Sequence, residues 1–208
     1  MKPFKIALLF SGLERSLATS AYNLRQNECK AAAYSLLAYA GMDYGKFADT
    51  RLRDVPRDVF EAYKDRLPEY FRKRAIHYFT EIAQAEAGAE AWRRDDLDEY
   101  GRLVFESSWS SVENYECGCP ELIMLYNIMA ETDGIYGGRF SGAGFKGYSM
   151  ALVDPDRVDE IERSVTERYL RAYPELTENT ASTSATARTG CGYEVHPAAP
   201  CAGREDRL

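Results

Sequence analysis

The segment from Gly134 to Gly147 constrains the fold more than any other part of this sequence. Six of its fourteen residues are glycine, whereas an average usage of about 7% would give one. The compositions of residues 135–140 and 148–153 predict two strands joined by a glycine-rich loop. Such a loop is typical of places where the backbone needs positive φ angles or approaches a ligand closely.

The chemistry of this loop suits an anion. Successive exposed N–H groups form a concave site that accommodates phosphate. Ser141 adds a hydroxyl group, and Arg139 and Lys146 add positive charge at either end. The loop does not have Walker A spacing, because no Gly-Lys-Ser/Thr follows it. A tight hairpin connection that needs several glycines is the alternative, and the loop alone does not separate the two interpretations.

Most of the remaining chain predicts helices. A buried strand is expected at Lys5–Phe10. Helices are expected over 19–40, 57–66, 69–94 and about 156–173, with one further helix capped by Asp95 or Asp96 and one beginning at Pro120. Few, separated strands and long helices indicate the α+β class rather than a doubly wound sheet.

The helix over 69–94 has the clearest period. Its apolar residues are spaced mainly three and four positions apart over some seven turns, which predicts one long helix. These residues are Phe71, Ala75, Tyr78, Phe79, Ile82, Ala89 and Trp92. His77 and Glu81 lie one helical turn apart, a spacing that would also suit a catalytic acid–base pair. We interpret them instead, with Arg74 and Gln84, as the polar face of this helix.

Composition excludes several classes of protein. No apolar run reaches the ~18 residues of a membrane span. The apolar run near the start is too short for a signal peptide and has no small-residue cleavage site. A net charge of −7 with scattered basic residues argues against nucleic-acid binding. Five irregularly spaced cysteines without a CxxC predict neither a disulfide framework nor a metal site, so a reduced, cytoplasmic protein is expected.

The C-terminal segment differs in composition. Residues 180–187 contain only Thr, Ser and Ala, and no apolar period continues after Leu176. Such a segment cannot bury enough surface to offset its ordering entropy. We therefore expect a folded domain over 2–176 and a disordered, low-complexity tail over 177–208.

Three segments resemble motifs of the GHMP small-molecule kinases, in their galactokinase form. Residues 137–147 (GGRFSGAGFKG) are similar to the third conserved motif of that family. Upstream, ES at 106–107 and NYECGCPEL at 114–122 resemble the segment that precedes this third motif in galactokinases. Residues 16–25 (SLATSAYNLR) are similar to the stretch whose tyrosine contacts the sugar. Three motifs in family order are more specific than any one of them.

The resemblance implies a fold and a reaction. The fold is the GHMP-kinase C-terminal type, with a few-stranded antiparallel sheet packed against long helices. The reaction is phosphorylation of the anomeric hydroxyl of a sugar by ATP with Mg²⁺. By this resemblance Tyr22 contacts the sugar, while the phosphate-facing residues are Ser141, Gly142, Ala143 and Gly144. It carries over no catalytic residue and no metal ligand to this sequence, and the composition predicts neither a nucleic acid nor a membrane as partner.

Departures from the galactokinase pattern favour a particular branch. Galactokinases usually have Ser-His where Ser107-Ser108 stand, and an aspartate where Ile123 stands. The combination in this chain is more similar to galacturonokinases, in which a basic residue also follows the loop phenylalanine, as Lys146 follows Phe145. Because a uronic acid carries a carboxylate, Lys146 is a candidate to bind it. Contact with phosphate, or with solvent alone, is the alternative for this lysine.

Other family motifs are not found in this sequence. It has no Pro-x-x-x-Gly-Leu-Ser-Ser-Ser stretch and no Gly-Glu-His motif, which in the family belong to the N-terminal, ATP-binding half. We therefore expect the isolated chain to be inactive as a kinase, with a separate N-terminal half as its partner. A non-catalytic sugar-binding or regulatory relative and a gene fragment are the alternatives. A reading frame upstream that encodes the nucleotide loop would favour the split or broken gene.

Overall fold

The described part of the chain has an α+β fold, as predicted. A computed structural model of the protein describes residues 2–13, 19–43, 45–142 and 144–177. Within those ranges, six α-helices pack with one three-stranded antiparallel sheet. None of the helices in those ranges is long and apolar enough to cross a membrane. The expected disorder of the tail stays a prediction, because residues 178–208 lie outside the described part.

The element bounds agree closely with the sequence patterns. The strands are β1 (Lys5–Phe10), β2 (Ile135–Phe140) and β3 (Tyr148–Val153). The helices are α1 (Thr19–Tyr39), α2 (Arg57–Tyr63), α3 (Glu69–Arg93), α4 (Leu97–Glu113), α5 (Pro120–Ala130) and α6 (Val158–Ala172). The helix expected over 57–66 ends at Tyr63 and continues as a 3₁₀ turn, Lys64–Arg66. The Asp96 carboxylate caps α4 by accepting a hydrogen bond from the Glu99 N–H at 3.1 Å.

The glycine-rich loop connects neighbouring strands of the sheet. The strand order is β1-β3-β2, and β3 is antiparallel to both neighbours. At the loop end of the sheet, the Ser141 N–H donates to the Tyr148 carbonyl and the Ser11 N–H donates to the Gly147 carbonyl, both at 2.8 Å. These bonds fix both ends of the loop to the sheet.

Two apolar clusters form the core of the described residues. The first lies between the sheet and helices α5 and α6, and includes Leu122, Met129, Val153 and Ile161. The second joins α1 to α2 and α3, and includes Leu36 and, on α3, Ala75 and Phe79. Helix α4 lies between them because it packs against both α3 and β2. The site described below lies where these two clusters meet.

The predicted long helix is present as α3, but its apolar residues are not all buried. Ala75 and Phe79 are buried, but Ile82 and Trp92 are 42% and 44% exposed, and Ala89 is exposed as well. The reason is a change of packing partner, because the first half faces α1 and α2, whereas the second half meets α4 through Gly88. The buried face of the helix therefore rotates along its length.

Candidate functional site

The glycine loop adopts the backbone that its composition predicts. Gly142 and Gly144 have φ angles of 83° and 74°, which side-chain-bearing residues rarely adopt. A Cβ atom on Gly144 would lie 3.0 Å from the Phe140 ring and 3.1 Å from the Cys117 Sγ. No described residue accepts a hydrogen bond from the N–H of Gly142 or Gly144. Gly142 is exposed, so its N–H is available to an anion, whereas Gly144 is buried.

The other predicted loop residues differ in placement. The backbone N–H of Ser141 is committed to Tyr148 in the sheet, and its side chain is half-buried. Lys146 is exposed, with no ion pair to any described residue. Ala143, which the resemblance makes phosphate-facing, lies outside the described residues.

The segment from Asn114 to Cys119 packs directly beneath the glycine loop. Cys117 is buried, and its thiol donates a hydrogen bond to the Ser111 carbonyl at 3.2 Å. A Cβ atom on Gly118, where φ is 109°, would lie 3.3 Å from the Phe140 ring. Burial raises the pKa of the Cys117 thiol to about 11. The thiol therefore remains protonated at neutral pH and packs in the core instead of acting as a nucleophile.

Tyr22 projects from the first turns of α1 and is 44% exposed. One turn later, Arg25 donates a hydrogen bond to the Glu116 carbonyl at 3.3 Å and pairs with the Glu116 carboxylate at 3.5 Å. Burial raises the pKa of the neighbouring Tyr115 to about 12, and the electrostatic influence of Tyr22 contributes. Helix α1 and the glycine loop therefore contact the same Asn114–Cys119 segment from two sides.

A buried arginine connects these elements. Arg74 of α3 has no exposed surface, and its guanidinium donates to the Glu28 and Glu116 carboxylates at 2.7 Å each, and to the Asn114 carbonyl. Hydrogen bonds from Arg74 first, and from Lys73, hold the pKa of Glu116 below its usual value. The sequence predicts Arg74 on a polar helix face, and the structure shows that this arginine is fully buried there. No local pattern predicts this, because the two glutamates lie 46 and 42 residues away.

The remaining polar face of α3 is paired with serines of α4. His77 Nδ1 lies 2.9 Å from the Ser110 Oγ, and the Ser107 hydroxyl donates to Glu81 at 2.9 Å. Burial, with the positive charges of Arg139 and Arg74, lowers the pKa of His77 to about 4. Burial raises the pKa of Glu81. His77 is therefore neutral at physiological pH, and both side chains join α3 to α4.

The described residues also bear on metal binding. Among residues 2–13, 19–43, 45–142 and 144–177, no group of three or more His, Cys, Asp or Glu side chains could hold a metal ion.

Comparison with known proteins places this geometry in a family. Residues 89–171 match the family model described as GHMP kinases C terminal. The galacturonokinase of Arabidopsis thaliana is 44% identical over 179 residues, which is 86% of this chain and 42% of the relative. The galactokinase of Roseiflexus sp. (strain RS-1) is 36% identical over 160 residues, covering 76% of this chain and 39% of the relative. The chain thus spans less than half the length of these relatives.

A solved structure agrees with the sequence comparisons. Lactococcus lactis galactokinase, crystallised with galactose, superposes with a TM-score of 0.72 and 26% sequence identity. The superposition covers 83% of this chain and 43% of the galactokinase. The predicted family and fold are therefore both confirmed. The chain belongs to the GHMP kinases: it carries their C-terminal domain, and its sequence and fold are of the galactokinase and galacturonokinase type.

Proposed function

We propose that this chain supplies the sugar-side tyrosine and the phosphate-facing glycine loop of a sugar-1-kinase. In this proposal the kinase transfers a phosphoryl group from ATP, with Mg²⁺, to the anomeric hydroxyl of galacturonate or galactose. Tyr22 and Lys146 contact the sugar, and Ser141, Gly142, Ala143 and Gly144 face the phosphates. The kinase relatives and the galactose-bound structural neighbour support the choice of reaction.

The observation that carries this proposal is the shared contact of α1 and the loop. Arg25, one turn after Tyr22, binds Glu116, and the adjacent Cys117 packs against Gly144. The tyrosine and the loop are therefore held to one segment by short, specific contacts. Phosphoryl transfer depends mostly on positioning and on neutralising charge, so a rigid connection between a sugar contact and a phosphate contact suits it.

The loop fits a nucleotide phosphate on its own geometry. The N–H groups of Gly142 and Gly144 have no acceptor among the described residues, and both glycines have positive φ angles. A side chain at Gly144 would meet Phe140 and Cys117, so only glycine fits at this buried position, whereas the neighbouring Gly142 is exposed. When bound, ATP supplies the transferable phosphoryl group. The residues of this loop bind the phosphate and orient it, which stabilises its negative charge.

The proposal also predicts what the 208-residue chain cannot do alone. Its sequence lacks the nucleotide-loop and Gly-Glu-His motifs that the resemblance associates with ATP binding and catalysis. Without a group that orients the sugar hydroxyl and accepts its proton, turnover is not expected. An ATP-coupled assay with D-galacturonate and D-galactose tests this point. Robust, metal-dependent turnover would overturn it.

Sugar binding itself is tested by saturation-transfer difference NMR on the full chain, which detects weak, fast-exchanging ligands. D-galacturonate or D-galactose is expected to give a signal with the wild type, and Tyr22→Ala is expected to abolish it. Tyr70→Ala is the matched control, because Tyr70 of α3 is also an exposed tyrosine, at 58% compared with 44%. A wild type without a signal from either sugar, or an unchanged signal in Tyr22→Ala, would contradict the proposal.

A further inference from the structure

One face of the three-stranded sheet packs on the core, whereas the opposite face does not. Along β3, Ser149, Ala151 and Val153 are buried, and the residues that alternate with them point to the other side, which we call the outer sheet face. Its side chains on β1 and β3 are Ile6, Leu8, Phe10, Tyr148, Met150 and Leu152. None of these six belongs to either apolar cluster of the core.

The outer sheet face is a continuous apolar surface. The antiparallel register places Leu8 beside Met150 and Phe10 beside Tyr148. The ring centroids of Phe10 and Tyr148 lie 4.7 Å apart, and Leu8, in the middle of the face, is 40% exposed. Monomeric proteins rarely leave a large contiguous apolar patch uncovered, and such a patch marks an interaction site.

A second uncovered apolar stripe lies on α3. Ile82, Ala85, Ala89 and Trp92 follow one another at intervals of three and four, so they share one side of the helix. All four are exposed. A helix normally turns such a stripe towards another element, but the described part of the chain leaves this one open to solvent.

A groove of about 700 Å³ joins the stripe to the outer sheet face. It is lined on one side by Ala85, Ala89 and Trp92 of the stripe, and on the other by Arg139 of β2. Arg139 lies beside Met150 in the sheet register, so the groove borders the outer sheet face directly. The stripe, the groove and the outer sheet face therefore form one continuous surface, which we call the open surface.

Polar groups that line the groove also lack partners. The Glu81 Oε1 and Gln84 Oε1 atoms are buried and accept no hydrogen bond from the described residues, which is costly unless a donor arrives. Arg139 is exposed and forms no ion pair with those residues. The open surface therefore fits a protein that brings hydrogen-bond donors and an acidic group together with apolar side chains.

We propose that the open surface docks the N-terminal, ATP-binding half of a sugar kinase. This docking rests on the proposed function, because phosphoryl transfer requires that half beside the sugar and phosphate contacts of this chain. More than half the length of the galacturonokinase and galactokinase relatives lies outside their match to this chain, which is ample for such a partner. Because the glycine loop joins β2 to β3, a domain seated on the outer face of these strands reaches the loop at their end.

A second copy of this chain fits the open surface less well. Apart from Arg139, the outward side chains of the three strands are uncharged, so an identical sheet face offers Arg139 no anion. Self-association through this surface is the competing outcome of the test.

The full chain is co-expressed with the N-terminal half of Arabidopsis thaliana galacturonokinase, so that the two fold together, and the purified complex is studied by sedimentation velocity. Leu8→Glu on the outer sheet face and Ile82→Glu on the stripe each place a carboxylate in the contact, and each should weaken the complex about tenfold or more. Met42→Glu is the matched control, because Met42 is 38% exposed but lies outside the open surface. It should change the dissociation constant less than about twofold.

The docking is overturned if the wild type forms no complex, or if both glutamate variants of the open surface bind as tightly as the wild type. It is also overturned if the chain alone sediments as a dimer that Leu8→Glu dissociates, because a second copy then covers the surface. Ile82→Glu keeps the test decisive if the strand variant Leu8→Glu fails to fold, since glutamate is well tolerated on an exposed helix face.

Hydroxyl-radical footprinting of the wild-type complex gives an independent measurement. Trp92 of the stripe should lose most of its reactivity in the complex, whereas Trp109 of α4, which is similarly exposed at 40%, should keep it. Unchanged reactivity of Trp92 would contradict the docking.

Failure of this docking and failure of the proposed function are distinguishable. The sedimentation measurement contains no sugar, and the saturation-transfer measurement contains no second half. A complex without a sugar signal leaves the docking in place and contradicts the sugar contact, whereas a sugar signal without a complex does the reverse.

Discussion

Gly101 of α4 and Gly137 of β2 meet backbone to backbone: a Cβ atom on Gly137 would lie 2.6 Å from the Gly101 Cα. A Cβ atom on Gly101 would lie only 1.9 Å from the Tyr136 carbonyl oxygen. The two glycines therefore allow the helix to lie directly on the strand. Because β2 leads into the glycine loop and α4 leads into the segment beneath it, this contact fixes the relative position of both.

Gly101→Ala should destabilise the protein severely. The methyl group would overlap a carbonyl oxygen that the sheet holds in place, so the helix must move away from the strand. The free energy of unfolding is expected to fall by about 3 kcal/mol or more, as measured by urea denaturation.

Gly88→Ala in α3 is the matched control. A Cβ atom there would meet only the Tyr100 ring at 3.6 Å, which is ordinary contact. Because alanine favours a helix over glycine, this variant should gain roughly 0.5–1 kcal/mol. Equal losses in the two variants would contradict the close approach of α4 and β2.

Arg74→Met should be among the most damaging substitutions outside the apolar core. It leaves the Glu28 carboxylate, whose side chain is 11% exposed, and that of Glu116 without their buried partner. Removing one member of a buried ion pair costs about 3–5 kcal/mol. The loss is measured as the change in the urea unfolding free energy at pH 7.

Arg102→Met provides the comparison for Arg74. Arg102 also pairs with two glutamates, Glu99 and Glu106, but its side chain is 51% exposed. Water screens such pairs, so stability should change little. If Arg102→Met lowers the free energy of unfolding more than Arg74→Met does, the Arg74 ion pairs are not buried as described.

The contrast between these arginines shows what the sequence predicts and what it does not. Local patterns are sufficient for all three strands, because alternation and turn residues are encoded within about ten positions of each other. The Arg74 network depends on helices that are brought together only by the tertiary fold. From the sequence, an arginine on a polar helix face gives no indication of whether solvent or another helix covers that face.

The candidate site likewise has a part that the sequence predicts and a part that only the tertiary fold determines. The glycine loop and Tyr22 are suggested by motifs, because their chemistry requires particular residues at fixed spacing. Their connection through Glu116 and Cys117 is not visible in the motifs, since it arises where α1 and the loop meet a third segment.

His77 should make the stability of the protein depend on pH. Its pKa is about 4 in the folded state, compared with about 6.5 in an unfolded chain. As the pH falls from 6.5 to 4, His77 becomes protonated in the unfolded chain but stays neutral in the folded protein. The free energy of unfolding therefore falls by at most about 1.4 kcal/mol per pH unit.

His77→Gln should remove this part of the pH dependence. Glutamine keeps a hydrogen-bonding group near Ser110 but does not titrate. Urea unfolding at pH 7, 6 and 5 is compared between the two proteins. The raised pKa of Glu81 acts in the opposite direction in both, and largely cancels in the difference. Parallel stability profiles for wild type and variant would contradict the low pKa of His77.

Gly144→Ala tests whether the glycine loop is held against the segment beneath it. The substitution combines two costs: a positive φ of 74°, and a methyl group about 3 Å from the Phe140 ring and the Cys117 Sγ. Gly41→Ala isolates the first cost, because Gly41 has a φ of 66° and nothing lies within 4 Å of an added Cβ atom. The left-handed backbone costs roughly 1 kcal/mol in each variant.

Urea denaturation should therefore show a larger loss of stability for Gly144→Ala, with the excess due to crowding by Phe140 and Cys117. If the two variants lose the same amount, the loop moves freely away from Cys117, and the rigid connection between Tyr22 and the phosphate-facing backbone does not exist.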